Sequence, residues 1–175
     1  MGTSIKGRVI FSNILNKYNN EKTIISTLCF LAIIQFSVAQ SNDNKDRNKI
    51  IYRELNQLVN DGKLAEGSKY YAESHEVKGI GKGPKAVEAS ALGYRKIFPD
   101  LNVRIIELIA EADLVMARCE ATGTQKGEMD GIPATGKTGK IAHWTINRFN
   151  EEGKITESWN LNDTMSMMKQ LGIIK

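Results

Sequence analysis

Cysteine is scarce in this 175-residue chain, with Cys29 and Cys119 the only two. A disulfide framework is therefore excluded as the basis of the fold, which must rely on an apolar core. Proline is nearly as sparse, at three residues, and so interrupts regular structure only at Pro84, Pro99 and Pro133. There are two histidines, His75 and His143. They form no His-x-His or HExxH pair and have no cysteine cluster beside them, so the chain lacks metal-ligand spacing, and no metal is expected. What remains is ordinary globular composition, 41% hydrophobic and 25% charged, enough for one core.

One long apolar run stands apart from that core. Lys6, Arg8, Lys17 and Lys22 precede Thr23 to Ala39, and Ser37-Val38-Ala39 has the small-x-small pattern of a peptidase site. The run contains Gln35 and falls short of the ~20 apolar residues that a spanning helix needs. It also lacks the polar face of a surface helix. Residues 1–39 are thus expected to be a signal peptide, exporting the rest to the periplasm or the extracellular medium and touching the membrane only during export. The leader carries most of the net charge of +4. The remainder is close to neutral and has no electrostatic footprint for nucleic acid.

Residues 40–48 are polar and are expected to form a flexible lead-in to a domain over residues 49–175. Ile51, Leu55, Leu58 and Val59 recur at helical spacing until Asn60-Asp61-Gly62, and a shorter helix is expected over Leu64 to Tyr71. Pro84 opens a third helix whose apolar face is Val87, Ala91, Tyr94 and Phe98, and Pro99 ends it. Beyond Asp100 the period becomes two. Leu101 to Ala110 and Leu114 to Thr122 form one hairpin, Lys140 to Phe149 and Lys154 to Leu161 another, with Gly153 in the turn. A helix from Thr164 to Leu171, capped by Asp163 and stopped by Gly172, closes the chain. Helices followed by antiparallel strands and a terminal helix give an α+β domain with helices on one face of a curved sheet.

Gly131 to Thr138 (GIPATGKT) matches the letters of a nucleotide-binding phosphate loop. That site needs a helix to follow, so that backbone N–H groups and the helix N-terminus can cradle phosphates. Here a strand is expected, and no nucleotide partner is inferred.

Four segments carry a resemblance: Ile97-Phe98-Pro99-Asp100-Leu101, Leu108 to Arg118, Gly123 to Gly136, and Arg148 to Asp163; Lys169-Gln170-Leu171-Gly172 fits as well. In this order and spacing they resemble the SnoaL-like polyketide cyclase or ester cyclase family of the nuclear transport factor 2-like superfamily. The resemblance implies a cone-shaped curved antiparallel sheet packed against N-terminal helices, enclosing a mostly apolar pocket for a small organic ligand. It also implies intramolecular bond closure by a carboxylate acid/base without a cofactor, and compatibility with a homodimer formed through the outer sheet face. Relatives often carry a histidine where this chain has Lys78.

The family's Trp-x-x-x-Asp motif appears here as Trp159 to Asp163, which makes Asp163 the first catalytic candidate. Desolvation in an apolar pocket would raise its pKa toward working pH; a helix N-cap is the other role open to it. Trp159 and Glu157 share strand parity with Ile155 and Leu161, and either wall a pocket or serve the core and the exposed face. His143 lies in a polar row with Thr145 and Asn147 that either lines the pocket or faces solvent. Tyr71 is one of several tyrosines that could supply a pocket hydroxyl. Non-catalytic carriage of a hydrophobic ligand is the alternative function.

Overall fold

The computed structural model describes residues 43–175; the expected leader over residues 1–39 lies outside them. Helix α1 runs over residues 43–60 of this part. α2 (Leu64–Ser68) follows, then a two-residue hairpin, β1 (Glu76–Val77) and β2 (Gly81–Lys82), which leads into α3 (Gly83–Ile97). The main sheet comprises β3 (Asn102–Glu111), β4 (Leu114–Thr124), β5 (Thr138–Phe149) and β6 (Ile155–Asn162), and α4 (Thr164–Leu171) closes the chain. Its four strands are antiparallel and adjacent in chain order, as two consecutive hairpins dictate. Among the described residues no helix is long and apolar enough to cross a membrane.

Three elements differ from the sequence reading. Residues 43–48, expected as a flexible lead-in, are helical, because tertiary contacts supply what local propensity lacks. Asn48 is buried, and Arg47 donates to the backbone carbonyls of Glu151 (2.8 Å) and Asn150 (3.4 Å) in the β5–β6 turn. α2 stops at Ser68, short of the expected Tyr71. The chain beyond it pairs with the start of β6 instead, Ala72 N–H donating to Ile155 O (2.9 Å) and Ile155 N–H to Tyr70 O (2.8 Å). On α3, Val87 and Ala91 of the expected face are half-buried and Phe98 is buried, together with Ala86, whereas Tyr94 is exposed. Both ends of α4 are as expected: Ser166 N–H donates to Asp163 Oδ1 (3.0 Å), and Gly172 takes the left-handed conformation.

The curvature of the sheet comes from two irregularities. The β3–β4 register shifts between Ile105 and Glu107, leaving Ile106 as an extra residue. In the β5–β6 ladder Phe149 pairs with Ile155 and Arg148 with Glu157, leaving Thr156 extra. Each bulge bends its strand and increases the local twist. α1 packs its Tyr52 and Leu55 against Val115, Ala117, Cys119, Phe149 and Ile155 on the concave side. A second cluster, Phe98, Met129 and Leu171, joins the end of α3, the 125–137 loop and α4. Burying each such side chain contributes roughly 1.5–3 kcal/mol. α4 is also tied to β5 by a side-chain amide, Gln170 exchanging hydrogen bonds with the Lys140 carbonyl (2.8 Å) and N–H (2.9 Å).

Candidate functional site

Strand register sorts the concave face into rows, because directly paired residues point to the same side. One row reads Ala110, Val115, Asn147, Ser158; the next Leu108, Ala117, Thr145, Asn160; the third Ile105, Cys119, His143, Asn162. The β3–β4 half is therefore apolar and is covered by α1. The β5–β6 half is polar and carries no Asp, Glu, Lys or Arg.

Its depth is graded. At the base Phe149 and Ile155 are buried, in the middle Thr145 and Asn147 are 4% and 2% exposed, and at the mouth Asn160 and Asn162 are open to solvent. The buried polar atoms are paired, Asn147 Nδ2 donating to Thr145 Oγ1 (3.2 Å) and Ser158 Oγ to Asn147 Oδ1 (2.6 Å). At the mouth His143 Nδ1 and Asn162 Oδ1 are 2.7 Å apart. Such a wall presents amides and hydroxyls beside an apolar floor.

Of the candidates named from sequence, His143 stands on this face with Thr145 and Asn147. Tyr71 flanks it beside the start of β6, its backbone bridging to Ile155 and its ring packing edge-on against His75 at a centroid separation of 4.7 Å. Burial raises the Tyr71 pKa to about 12, so its hydroxyl is a donor at neutral pH. Tyr52 reaches the same region from α1, its hydroxyl 4.0 Å from Cys119 Sγ. Burial raises the pKa of Tyr52 strongly, with the neighbouring Cys119 and Tyr71 adding to the shift. The Cys119 thiol is likewise pushed up by burial.

Asp163, Glu157 and Trp159 are not brought to that wall. Asp163 lies beyond the end of β6 as the cap of α4, exposed, and hydrogen bonds from the Ser166 side chain and backbone N–H hold its pKa below the ordinary carboxylate value. These hydrogen bonds outweigh the desolvation expected to raise it. Glu157 and Trp159 point to the outer face because the bulge at Thr156 reverses parity after Ile155, so the shared parity read from sequence does not hold. There Glu157 sits 3.7 Å from Arg148, whose guanidinium lies over the Trp159 ring at 5.8 Å.

The sequence reading missed Ser158, Asn160 and Asn162, which the same bulge turns inward, and it left His75 unplaced. His75 is 5% exposed and its Nδ1 has no hydrogen-bond partner. The 131–138 loop runs straight into β5, so no helix N-terminus stands behind it. The loop is held by the fully buried Gln125, which accepts from the Thr135 hydroxyl (2.9 Å). Among the described residues no group of three or more His, Cys, Asp or Glu side chains could hold a metal ion.

The profile of the SnoaL-like polyketide cyclase family matches residues 49–171. The chain belongs to the SnoaL-like polyketide cyclase family. Its α+β fold is that of the nuclear transport factor 2-like superfamily, as solved structures bear out. TsrD from Streptomyces laurentii superposes with a TM-score of 0.68 at 20% identity, over 74% of this chain and 98% of that one. A candidate polyketide cyclase from Acidithiobacillus ferrooxidans gives 0.64 at 27% identity, over 74% and 96%. A SnoaL-like polyketide cyclase from Agrobacterium tumefaciens gives 0.62 at 21% identity, over 70% and 95%. No curated protein matches the sequence. Within this SnoaL-like chain the concave wall formed by β4, β5 and β6 carries no Asp or Glu, so the carboxylate implied by the resemblance is absent from it.

Proposed function

We propose that the chain binds a small, largely apolar carbonyl or ester compound on the concave face and acts on it by cofactor-independent acid/base chemistry: cyclisation, isomerisation or hydrolysis. The observation that carries this reading is the graded wall itself, an apolar base at Phe149 and Ile155 beneath the paired polar groups of Thr145, Asn147 and Ser158. Burying the uncharged polar side chains of Thr145 and Asn147 in a small core adds little stability, whereas a ligand carbonyl or hydroxyl makes direct use of them. Family membership supports the same chemistry. Mass spectrometry of small molecules retained by the purified chain tests it. A retained polyketide-, terpenoid- or ester-like compound, lost on Asn147→Leu, is the expected result; a folded chain that comes out empty and binds no such compound sinks the reading.

A homodimer through the outer face is a second reading, favoured by one observation. Ile109, Met116, Ile146 and Trp159 are successive Cα partners, so they form an apolar row across all four strands. Trp144 and Leu161 lie beside it, and Trp159 and Leu161 are 47% and 70% exposed. Exposed apolar surface rimmed by charge, here Arg118, Arg148, Glu107 and Glu157, is the composition of a protein interface. Sedimentation of wild type against Trp159→Glu measures it: a monomeric wild type refutes the pairing. Export through residues 1–39 is likewise proposed. It is supported by the basic flank and Ser37-Val38-Ala39, and N-terminal sequencing of the protein from its native compartment, expected to begin at Gln40, tests it.

A further inference from the structure

The concave wall of β4, β5 and β6 carries one imidazole and no carboxylate. That imidazole, His143, stands in the row at the mouth, between Cys119 of β4 and Asn162 of β6. Both neighbours are uncharged, burial having pushed the Cys119 thiol up. His143 Nδ1 is 2.7 Å from Asn162 Oδ1. An amide oxygen only accepts, so the proton of the neutral ring is on Nδ1 and the lone pair is on Nε2. Asn162 thereby sets both the tautomer and the orientation of the ring, the task of the third group behind a catalytic base. The ring is half-buried, and its bond to the exposed Asn162 is open to solvent, so water and a ligand reach it. Asn160, the next inward-facing residue of β6, is also exposed and brings a second amide to this end of the wall. Carbanion chemistry calls for a base shielded from water, whereas His143 stands at the wet end and the apolar base of the wall lies at Phe149 and Ile155. A compound whose apolar part enters toward that base keeps its polar group where imidazole and water meet.

Building on the function proposed above, we infer that His143 is the catalytic base of this site, that Asn162 is its positioning residue, and that the reaction is hydrolysis of an ester by water. The ester is neutral, since the wall offers no Asp, Glu, Lys or Arg to pair with a charge. Nε2 takes a proton from water while the water oxygen bonds to the ester carbonyl carbon. The π pair of the carbonyl moves onto its oxygen, and the Asn160 amide N–H is the donor on β6 for that oxyanion. As the carbonyl reforms, the bond to the alcohol oxygen breaks and the imidazolium gives its Nε2 proton to the leaving oxygen. An acid and an alcohol result, the ring regains its starting tautomer, and water is the only co-reactant. The Nδ1 proton stays on the hydrogen bond to Asn162 throughout.

The test uses the full chain and two probes of one fused-ring skeleton: 2-naphthol, whose fluorescence reports binding, and 2-naphthyl acetate, whose hydrolysis releases 2-naphthol. His143→Gln keeps hydrogen-bonding capacity without a base. It is expected to bind 2-naphthol within about threefold of wild type and to lose about 100-fold or more of kcat, the scale of general base catalysis. Asn162→Leu frees the ring and should lower kcat by about 10- to 100-fold with KM unchanged, the cost of a misplaced catalytic group. Asn162→Asp again accepts from Nδ1; it should restore the rate and move the acid limb of the pH–rate profile to higher pH, because a carboxylate stabilises the imidazolium. A merely structural Asn162 would leave that limb in place. Hydrolysis that persists in His143→Gln, or an unmoved acid limb in Asn162→Asp, overturns the assignment. A wild type that binds 2-naphthol and leaves the ester intact overturns it too, with the binding reading kept; a wild type that binds neither probe overturns both. Should His143→Gln fail to fold, nitrogen NMR of the wild-type imidazole decides. A proton on Nδ1, with an Nε2 shift that moves on adding 2-naphthol, supports the assignment, and a proton on Nε2 of the neutral ring or an unresponsive Nε2 refutes it.

Discussion

Arg95 joins α3 to the end of α1 and so seats the helix that lays Tyr52 over the concave face. Its Nη2 donates to the carbonyls of Val59 and of Asn60 (3.0 Å), and its Nη1 donates to Pro99 O (3.1 Å). The Val59 carbonyl also accepts from Gly62 N–H (3.1 Å), so Asn60 is the α1 residue whose carbonyl loses most if the guanidinium goes. Arg95→Met keeps the aliphatic stem and removes the charge. A hydrogen bond from a charged donor is worth ~1.5–3 kcal/mol, and a cation at a helix C-terminus adds ~0.3–1 kcal/mol. Half-burial reduces both, and removing the unpartnered buried Nε offsets part of the loss. The net expectation is a destabilisation of about 2 kcal/mol. At roughly 3–5 °C per kcal/mol for a domain of this size, the melting temperature followed by circular dichroism falls by about 6–10 °C. Arg95→Lys restores the charge without the planar fork and should recover about half of that loss. A melting temperature for Arg95→Met within about 2 °C of wild type would refute the argument that this guanidinium holds the two helices together.

Gln125→Leu fills a similar volume but strips the Thr135 hydroxyl and the Gly127 and Pro133 carbonyls of their buried partner; urea unfolding should show a loss of about 1–3 kcal/mol, with faster amide exchange across residues 126–137. Burial lowers the His75 pKa in the folded chain below the ~6.5 of an unfolded one, so as pH falls from 7 toward 5 the unfolded state takes up the proton first. Stability should therefore fall with acidification, at no more than about 1.4 kcal/mol per pH unit, and His75→Phe should remove that component of the slope; an unchanged slope would contradict a buried neutral imidazole. Asp163→Asn, which keeps an acceptor for Ser166 N–H, should retain the same small molecules as wild type by mass spectrometry, while Asp163→Ala frays α4 at a cost of about 1 kcal/mol; loss of the retained compound in the Asn variant would return the carboxylate to the site.

Much of this architecture was legible along the chain. Pro84 and Pro99 bracket α3, Asp163 and Gly172 bracket α4, and the alternation of Val115, Ala117 and Cys119 against Met116, Arg118 and Glu120 gives both β4 and its buried side. These are local rules, set by the φ of proline, the unpaired groups at helix ends and the period of two in a strand. The length of α1 was not legible, because its first turns are held by carbonyls about a hundred residues further on in the β5–β6 turn.

The candidate site divides in the same way. The sequence by itself placed His143, Thr145 and Asn147 on one face, since no irregularity interrupts β5 between them. It could not show which way Glu157, Trp159 and Asn160 turn, nor that His75 is buried beside Tyr71. A bulge is a mismatch in count between two paired strands, so the extra residue at Thr156 exists only once β6 lies against β5. That one residue sends Trp159 outward and brings Ser158, Asn160 and Asn162 inward. Residue types along a strand fix an alternation; only the partner strand fixes its phase.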